Sequence, residues 1–266
     1  TWWPGCWPAV WAYDTGPCLL VDVGTNGEIL LKHGDRVLGC ATAAGPAFEG
    51  AGLSSGIRAG RGAISQISFN LNPFEIVTKV IGEDRPIGLC GSAYIDFLSE
   101  ARAAGLLNPF GRFEPHDVPG ASEHFKSHDD HASAMVVARG RGGQALLVTE
   151  TDIATLLQAK AAIAAGIETL LEQAQVKAAE ITTVYLAGGF GTHMDHRHAI
   201  ACGLLPGFVA EQVKVVGNSS LAGAFLALLD QGAMEEMKKL AMQVEVLELN
   251  LVPGFEDRYI DHLQLP

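Results

Sequence analysis

Paired cysteines, positive charge and long apolar runs are what this chain lacks, and each lack excludes a class of protein. Its five cysteines, Cys6, Cys18, Cys40, Cys90 and Cys202, never reach the C-x-x-C spacing of a zinc site or the clustering of an iron–sulfur loop. No iron–sulfur or other metal cluster is therefore expected inside the chain, and the thiols read as the reduced ones of a cytoplasmic protein. Lysine and arginine number 18 against 30 acidic residues, a net charge of −12. That balance argues against a nucleic-acid partner or an anionic membrane surface. No apolar run approaches the roughly 18 residues of a spanning helix. Two nucleotide signatures are missing too. There is no G-x-x-x-x-G-K-[ST], and Met194 stands where a G-x-G-x-x-G run beginning at Gly189 needs its last glycine. P-loop and Rossmann readings are disfavoured on that ground.

What is present is the composition of a globular protein: 48% apolar and 18% charged residues over 266 positions, enough for one large domain or two modest ones. One break in composition stands out. All four tryptophans, Trp2, Trp3, Trp7 and Trp11, fall in the opening "TWWPGCWPAVW". This start lacks the basic end and continuous apolar core of a signal peptide. Residues 1–17 are expected to be an atypical segment, as of a truncated or mis-joined start, with an exposed aromatic patch for a partner as the competing reading. The domain proper is expected over 18–266.

From Cys18 the chain is orderly. Strands are expected over 18–23, 28–32 and 36–41, a meander with turns at Asn26-Gly27 and Gly34-Asp35. The small-residue stretch 41–64 reads either as a loop lying over a site or as a disordered insertion. A helix is expected over 90–104, an irregular surface excursion over 108–145, and a return to strand at 145–148. The clearest helix spans 151–174, where Ile153, Leu156, Leu157, Ile163, Ile167, Leu170 and Leu171 form one stripe. A buried strand at "ITTVYLA", a short helix at "AIACG", a strand over 213–216, a helix over 219–230, a strand over 244–251 and a helix over 255–263 complete the reading. A meander followed by alternating strands and helices implies an α/β domain with a mixed sheet.

Three glycine turns at element ends expose consecutive backbone N–H groups able to cradle an anion. The first is the hairpin Asp22–Glu28, where Gly24 and Gly27 admit a phosphate, Thr25 and Asn26 add donors, and Asp22 is placed to hold a magnesium-bound water. The second, Leu89-Cys90-Gly91-Ser92, delivers a helix N-terminus. The third, Leu186-Ala187-Gly188-Gly189-Phe190-Gly191, lets a flat ligand lie on the main chain.

The order of these turns resembles the actin, Hsp70 and sugar-kinase superfamily, a ribonuclease H-like mixed sheet with flanking helices. At finer grain, "DVGTNGEI", "AAGPAFEGAGLSSGIRA", "GLCGSAYID", "DIATLLQAKAAIAAGIETLL", "VYLAGGFG", "AIACGLLP" and "VGNSSLAGA" are similar, in order, to the C-terminal domain of reductive activators of corrinoid proteins. The resemblance implies ATP and magnesium as cofactors, and ATP-driven reduction of Co(II) corrinoid to Co(I). It further implies an electron arriving through an iron–sulfur domain not found in this chain, a homodimer, and docking on a corrinoid protein or corrinoid-dependent methyltransferase. It puts Asp22, Gly24, Thr25, Asn26, Gly27, Gly91 and Ser92 against the phosphates and Gly188, Gly189, Phe190 and Gly191 against the nucleoside. The family's earlier D-x-G-T hairpin has no counterpart before Asp22, so an incomplete two-lobed fold is expected. Phosphoryl transfer draws on both walls of a cleft. A nucleotide-binding module, a non-catalytic dimerisation and docking module, and a small-molecule kinase of the same superfamily therefore stay open.

Asp22 and Glu49 are the candidates for catalysis, and Glu49 and Arg58 are the rare charges of the small-residue loop. His124, His128 and His131, with Asp129 and Asp130, read as a metal site or as solvated side chains. His193, His196 and His198 are expected at the surface, with ligand contact by His193 the alternative. Lys160, on the apolar stripe, is expected either to run its stem along the core edge or to reach the cleft.

Overall fold

The structure, a computed structural model, describes Trp11 and residues 14–82, 85–128, 132–189 and 194–266. The chain opens with the meander β1 (Cys18–Val23), β2 (Gly27–His33) and β3 (Arg36–Thr42). A hairpin of β4 (Ala63–Leu71) and β5 (Phe74–Val80) follows, then the short β6 (Gly88–Leu89) and α1 (Gly91–Ala103). Strands β7 (Phe125–His128), β8 (Ala132–Arg139) and β9 (Ala145–Thr149) lead into the long α2 (Glu150–Ala174). The last third comprises β10 (Thr183–Ala187), α3 (His196–Ala201), β11 (Val213–Gly217), α4 (Ser219–Leu229), α5 (Gln231–Gln243), β12 (Val244–Val246) and α6 (Phe255–Asp261).

Six of these strands form the central mixed sheet, in the order β11-β10-β1-β2-β3-β12. Two three-stranded sheets, β5-β4-β6 and β7-β8-β9, stand beside it. Strand β1 is covered on both faces, which is why "CLLVDV" reads as a continuous apolar run and not as an alternation. Leu19, Val21 and Val23 join Ile29, Leu31 and Leu38 in the main core. Cys18 and Leu20 pack on the second face with Leu30, Val37, Tyr185 and Ala187.

Helix α2 covers the first face. It starts at a capping box in which Thr149 accepts from the Asp152 backbone and Asp152 answers to the Thr149 backbone. It lies so close to the sheet that a Cβ on Gly166 would stand 2.6 Å from Thr42 Cγ2, and one on Gly27 3.0 Å from Ile163 Cγ1. No apolar run of spanning length was expected, yet α2 is long and apolar enough by length and composition. It is the core helix instead, with 78% of its most apolar 18-residue window buried inside the protein.

Within 1–17, the segment expected to be atypical, Trp11 is 1% exposed on the second face of the sheet. Asp14 accepts from Tyr185 Oη at 2.8 Å, and its carbonyl accepts from Lys32 Nζ at 2.8 Å. The excursion 108–145 is partly a sheet, because Met135, Val137 and Val148 carry β8 and β9 into the core. The hairpin β4–β5 was not foreseen. The expected strand 244–251 is only three residues long and follows an unforeseen helix, α5.

Lys160 neither runs along a core edge nor reaches the cleft. It is 0% exposed, and its Nζ donates to the Gln264 carbonyl at 2.6 Å, fastening the C-terminal tail. Burial draws its pKa down to about 8. Cys18, Cys40, Cys90 and Cys202 are free and buried. Burial pushes Cys18 and Cys40 up to about 12 and Cys202 up to about 11, which leaves these thiols unreactive at neutral pH.

Candidate functional site

The topology brings the glycine turns together. Strands β1, β10 and β11 are mutually parallel, with Asp22 opposite Ala187 and Ala187 opposite Gly217. Their carboxyl ends open at one edge of the sheet, the place where open α/β sheets receive ligands. Gly188 shows why no side chain is tolerated there. Its φ is +96°, and a Cβ would stand 2.5 Å from the Val23 carbonyl and 2.7 Å from Asp22 Oδ1.

A cleft of about 250 Å³ lies at this edge, lined by Val23, Gly24, Phe48, Glu49, Arg58, Ala59, Cys90, Gly91, Ser92 and Gly189. One residue or more from each of the three expected turns is present. Arg58 makes no ion pair among the described residues, so its guanidinium is free for an anion. Helix α1 contributes its N-terminus. Both α2 and α4 are capped by their own side chains, Thr149 and Asn218, whereas the N-cap of α1, Cys90, supplies no side-chain cap. The first N–H groups of α1 are thus left for something other than the protein's side chains. Ser92 offers its backbone alone, since its hydroxyl donates inward to the Ser65 carbonyl at 2.8 Å.

The other expected positions divide. Asp22 points to the side of the strand away from Val23, where its Oδ2 accepts from Ser219 Oγ and Ser220 Oγ, each at 3.3 Å. Burial raises its pKa, against the pull of these two hydroxyls. Glu28, its cross-strand neighbour, is raised by burial and by the charge of Asp22. Thr25 reaches from the hairpin tip to donate to Glu49 Oε1 at 2.6 Å, linking the hairpin to the small-residue loop. Asn26 is exposed, and its carbonyl accepts from the Gly24 N–H at 3.0 Å, closing the turn. Gly27 is buried beneath α2, so its missing side chain serves packing. Phe190 and Gly191 lie outside the described residues.

Ser219, Ser220 and Glu28 were missed as site residues. The two serines carry a readable signal, Asn218-Ser219-Ser220 opening an apolar helix, but nothing local connects them to Asp22. Glu49 and Arg58, singled out for their charge, both line the cleft. His198 is half-buried rather than at the surface, with Nδ1 2.7 Å from Asp96 Oδ1 and Nε2 3.2 Å from Glu100 Oε1. The hydrogen bond to Asp96 holds its pKa above the usual value, and the pair ties α3 to α1. His193, His131, Asp129, Asp130 and the side chain of His128 lie outside the described residues, while His124 packs edge-on against Phe74 with ring centroids 5.3 Å apart. Among the described residues no group of three His, Cys, Asp or Glu is placed to hold a metal ion.

A family model described as the C-terminal domain of RACo, the ASKHA domain, matches residues 16–266. The corrinoid activation enzyme RamQ of Eubacterium limosum is 31% identical over 248 residues, which cover 91% of this chain and 42% of that protein. The [Co(II) methylated amine-specific corrinoid protein] reductase of Methanosarcina barkeri is 27% identical over 248 residues, 86% of this chain and 42% of that one. A solved reductive activator for corrinoid, iron–sulfur protein superposes with a TM-score of 0.92 at 34% identity, over 99% of this chain and 42% of its own. The chain thus spans less than half the length of these relatives.

Proposed function

The chain belongs to the family of C-terminal ASKHA domains of RACo, and from that we infer that it is the nucleotide-binding domain of an ATP-dependent reductive activator of corrinoid proteins. In this reading the activator returns Co(II) corrinoid to Co(I), with the electron delivered by an iron–sulfur domain. It works in the cytoplasm as a homodimer, docked on a corrinoid protein or a corrinoid-dependent methyltransferase. The carrying observation is the convergence of Gly24, Gly91 and Gly189 on one cleft with a helix N-terminus that lacks a side-chain cap and with Arg58, which makes no ion pair among the described residues.

The residues present fit the phosphate end of a magnesium nucleotide. The N–H groups at the start of α1 and the guanidinium of Arg58 supply positive character, and the glycines let main chain approach. Asp22, oriented by Ser219 and Ser220, presents a carboxylate oxygen for the hydration shell of a divalent ion. Glu49, fixed through Oε1 by Thr25, keeps Oε2 to orient a water or take its proton. When bound, ATP supplies the free energy of phosphate hydrolysis. Everything else assigned here is binding and orientation by this chain's own groups.

A second reading draws on the size of the cleft. Its volume of about 250 Å³ lies below the ~300–1,000 Å³ of most small-molecule sites, a size that suits phosphates better than a whole nucleotide. A non-catalytic dimerisation and docking module is the function that follows if nothing completes the pocket. Calorimetric titration with Mg·ATP and with a non-hydrolysable analogue decides between the two. Binding that disappears in both Arg58→Ala and Asp22→Ala supports the nucleotide reading, whereas absence of heat when the chain is joined to the preceding part of a full-length relative sinks it.

A further inference from the structure

Donors at the tip of the β1–β2 hairpin are engaged by the chain itself. Between Val23 and Gly27 the turn Gly24-Thr25-Asn26 has two of them turned to internal acceptors. The Gly24 N–H donates to the Asn26 carbonyl at 3.0 Å, and Thr25 Oγ1 donates to Glu49 Oε1 at 2.6 Å. The second bond has the length of a hydroxyl held by a carboxylate, and such charge-assisted bonds are roughly twice as strong as neutral ones. Glu49 lines the cleft together with Gly24 and Arg58. It nevertheless turns to the threonine and not to the arginine, which makes no ion pair among the described residues. A carboxylate thus sits on the hydroxyl that the nucleotide reading sets against a phosphate.

The surroundings show which part is able to move. Glu49 ends the short helical turn Pro46–Glu49, whose Ala47 and Phe48 are buried. Beyond it, Ser54 is fastened to the start of α2, its N–H and Oγ donating to Asp152 Oδ1 at 2.8 and 3.1 Å. The loop is therefore pinned on both sides of Glu49. Its side chain is half-buried and Thr25 is exposed, so a change of rotamer releases the hydroxyl without disturbing the core. An anion arriving at the hairpin competes with that carboxylate for Thr25. Its apparent affinity is reduced to the fraction of molecules in which the pair is open.

We propose that Glu49 is a built-in surrogate for the anion, a gate that holds Thr25 at the mouth of the cleft until a polyphosphate chain displaces it. The gate selects among ligands. A single orthophosphate exchanges one anion for another and gains little. A di- or triphosphate reaches Thr25 while its other groups are held by Arg58 and by the N–H groups at the start of α1. Release also returns to Glu49 both carboxylate oxygens, so its hold on a water is tied to the arrival of the ligand. The inference rests on the proposed function only in taking the cleft as a polyphosphate site, and not on the nucleoside.

A double-mutant cycle tests it, read by calorimetric titration of the chain with inorganic pyrophosphate. Glu49→Ala is expected to tighten pyrophosphate by about tenfold, as for a gate closed in about nine molecules of ten. In a Thr25→Val background, with no hydroxyl to hold, the same replacement should change affinity by less than about twofold. In a Thr25→Ser background, which keeps the hydroxyl, the full gain should return. A gain of equal size beside Thr25→Val overturns the proposal, because it then comes from charge repulsion alone. So does weaker binding in Glu49→Ala, which makes the carboxylate part of the receptor, and so does a failure of every protein in the cycle to take up pyrophosphate. Should Glu49→Ala fail to fold, Glu49→Gln serves in its place. It keeps an acceptor without the charge, so its gain should be smaller beside Thr25→Val than beside threonine, and equal gains refute the gate. Mg·ATP is titrated in parallel. A cycle that holds for pyrophosphate with no heat from Mg·ATP keeps the gate and removes the nucleotide reading alone, whereas Mg·ATP bound with an additive cycle removes the gate alone.

Discussion

Helix α2 buries a lysine, while α4 leaves leucines and a phenylalanine in water. Both helices are rich in Ala and Leu, both start at a side-chain cap, and both follow a strand of the described fold. Yet α2 lies on the first face of the sheet with Lys160 inside the protein, and α4 exposes its most apolar stripe. The contrast shows that amphipathic pattern alone does not say which solvent a helix meets. The first face carries the main core, while the first turn of α4 holds Asp22 through Ser219 and Ser220 and leaves the rest of the helix to solvent.

The comparison breaks if the two stripes respond alike to truncation. Leu170→Ala, at a fully buried position of α2, is expected to cost about 2–5 kcal/mol of unfolding free energy. Leu228→Ala, at the most exposed position of α4, should stay within about 0.5 kcal/mol in the isolated chain. Urea denaturation of the two variants measures both, and a large loss at position 228 would mean that α4 is already covered.

Gly166 sharpens the first face. Alanine is the better helix former by about 1 kcal/mol on propensity alone. Here a Cβ meets Thr42 Cγ2 at 2.6 Å and Ile29 Cδ1 at 2.9 Å, so Gly166→Ala is expected to destabilise by about 1–3 kcal/mol. A stabilised variant in thermal unfolding would show that α2 is not seated as tightly as described. Asp22 sharpens the other side. Its carboxyl, raised by burial, opposes folding once it ionises, so Asp22→Asn should stabilise by about 0.5–1 kcal/mol at neutral pH while weakening Mg·ATP binding. Loss of stability together with binding would reassign Asp22 to a structural role.

The sequence made the first face legible and the α4 side only in part. The meander over 18–41 was readable because short apolar runs are punctuated by the turns Asn26-Gly27 and Gly34-Asp35, and the helix over 151–174 because its apolar stripe repeats at the helical period. Gly24, Gly91 and Gly189 could be singled out because each sits in a glycine turn at the end of a strand, and all three line the one cleft. What escaped is of two kinds. β8 hides in a polar context, since its Met135 and Val137 are buried by contacts from elsewhere in the chain. The partners of Asp22 stand 197 and 198 residues away, joined to it only by the parallel alignment of β1, β10 and β11. Pairings of that range leave no local trace.

The last test turns on the buried amine. Lys160 has its ordinary pKa of 10.5 in the unfolded chain and about 8 when folded, because burial disfavours its charge. Between these values the unfolded chain binds more protons than the folded one, so unfolding becomes harder as pH rises through that window. The buried thiols act in the opposite sense above their ordinary value of 9.0. Lys160 is therefore read between about pH 8 and 9, as the difference between the wild-type chain and Lys160→Met, where the change is smallest but cleanest. The wild type should gain stability relative to the variant across that interval, measured by urea midpoints at fixed ionic strength. A flat difference would place the amine in contact with water, and α2 would then resemble α4 more than its packing indicates.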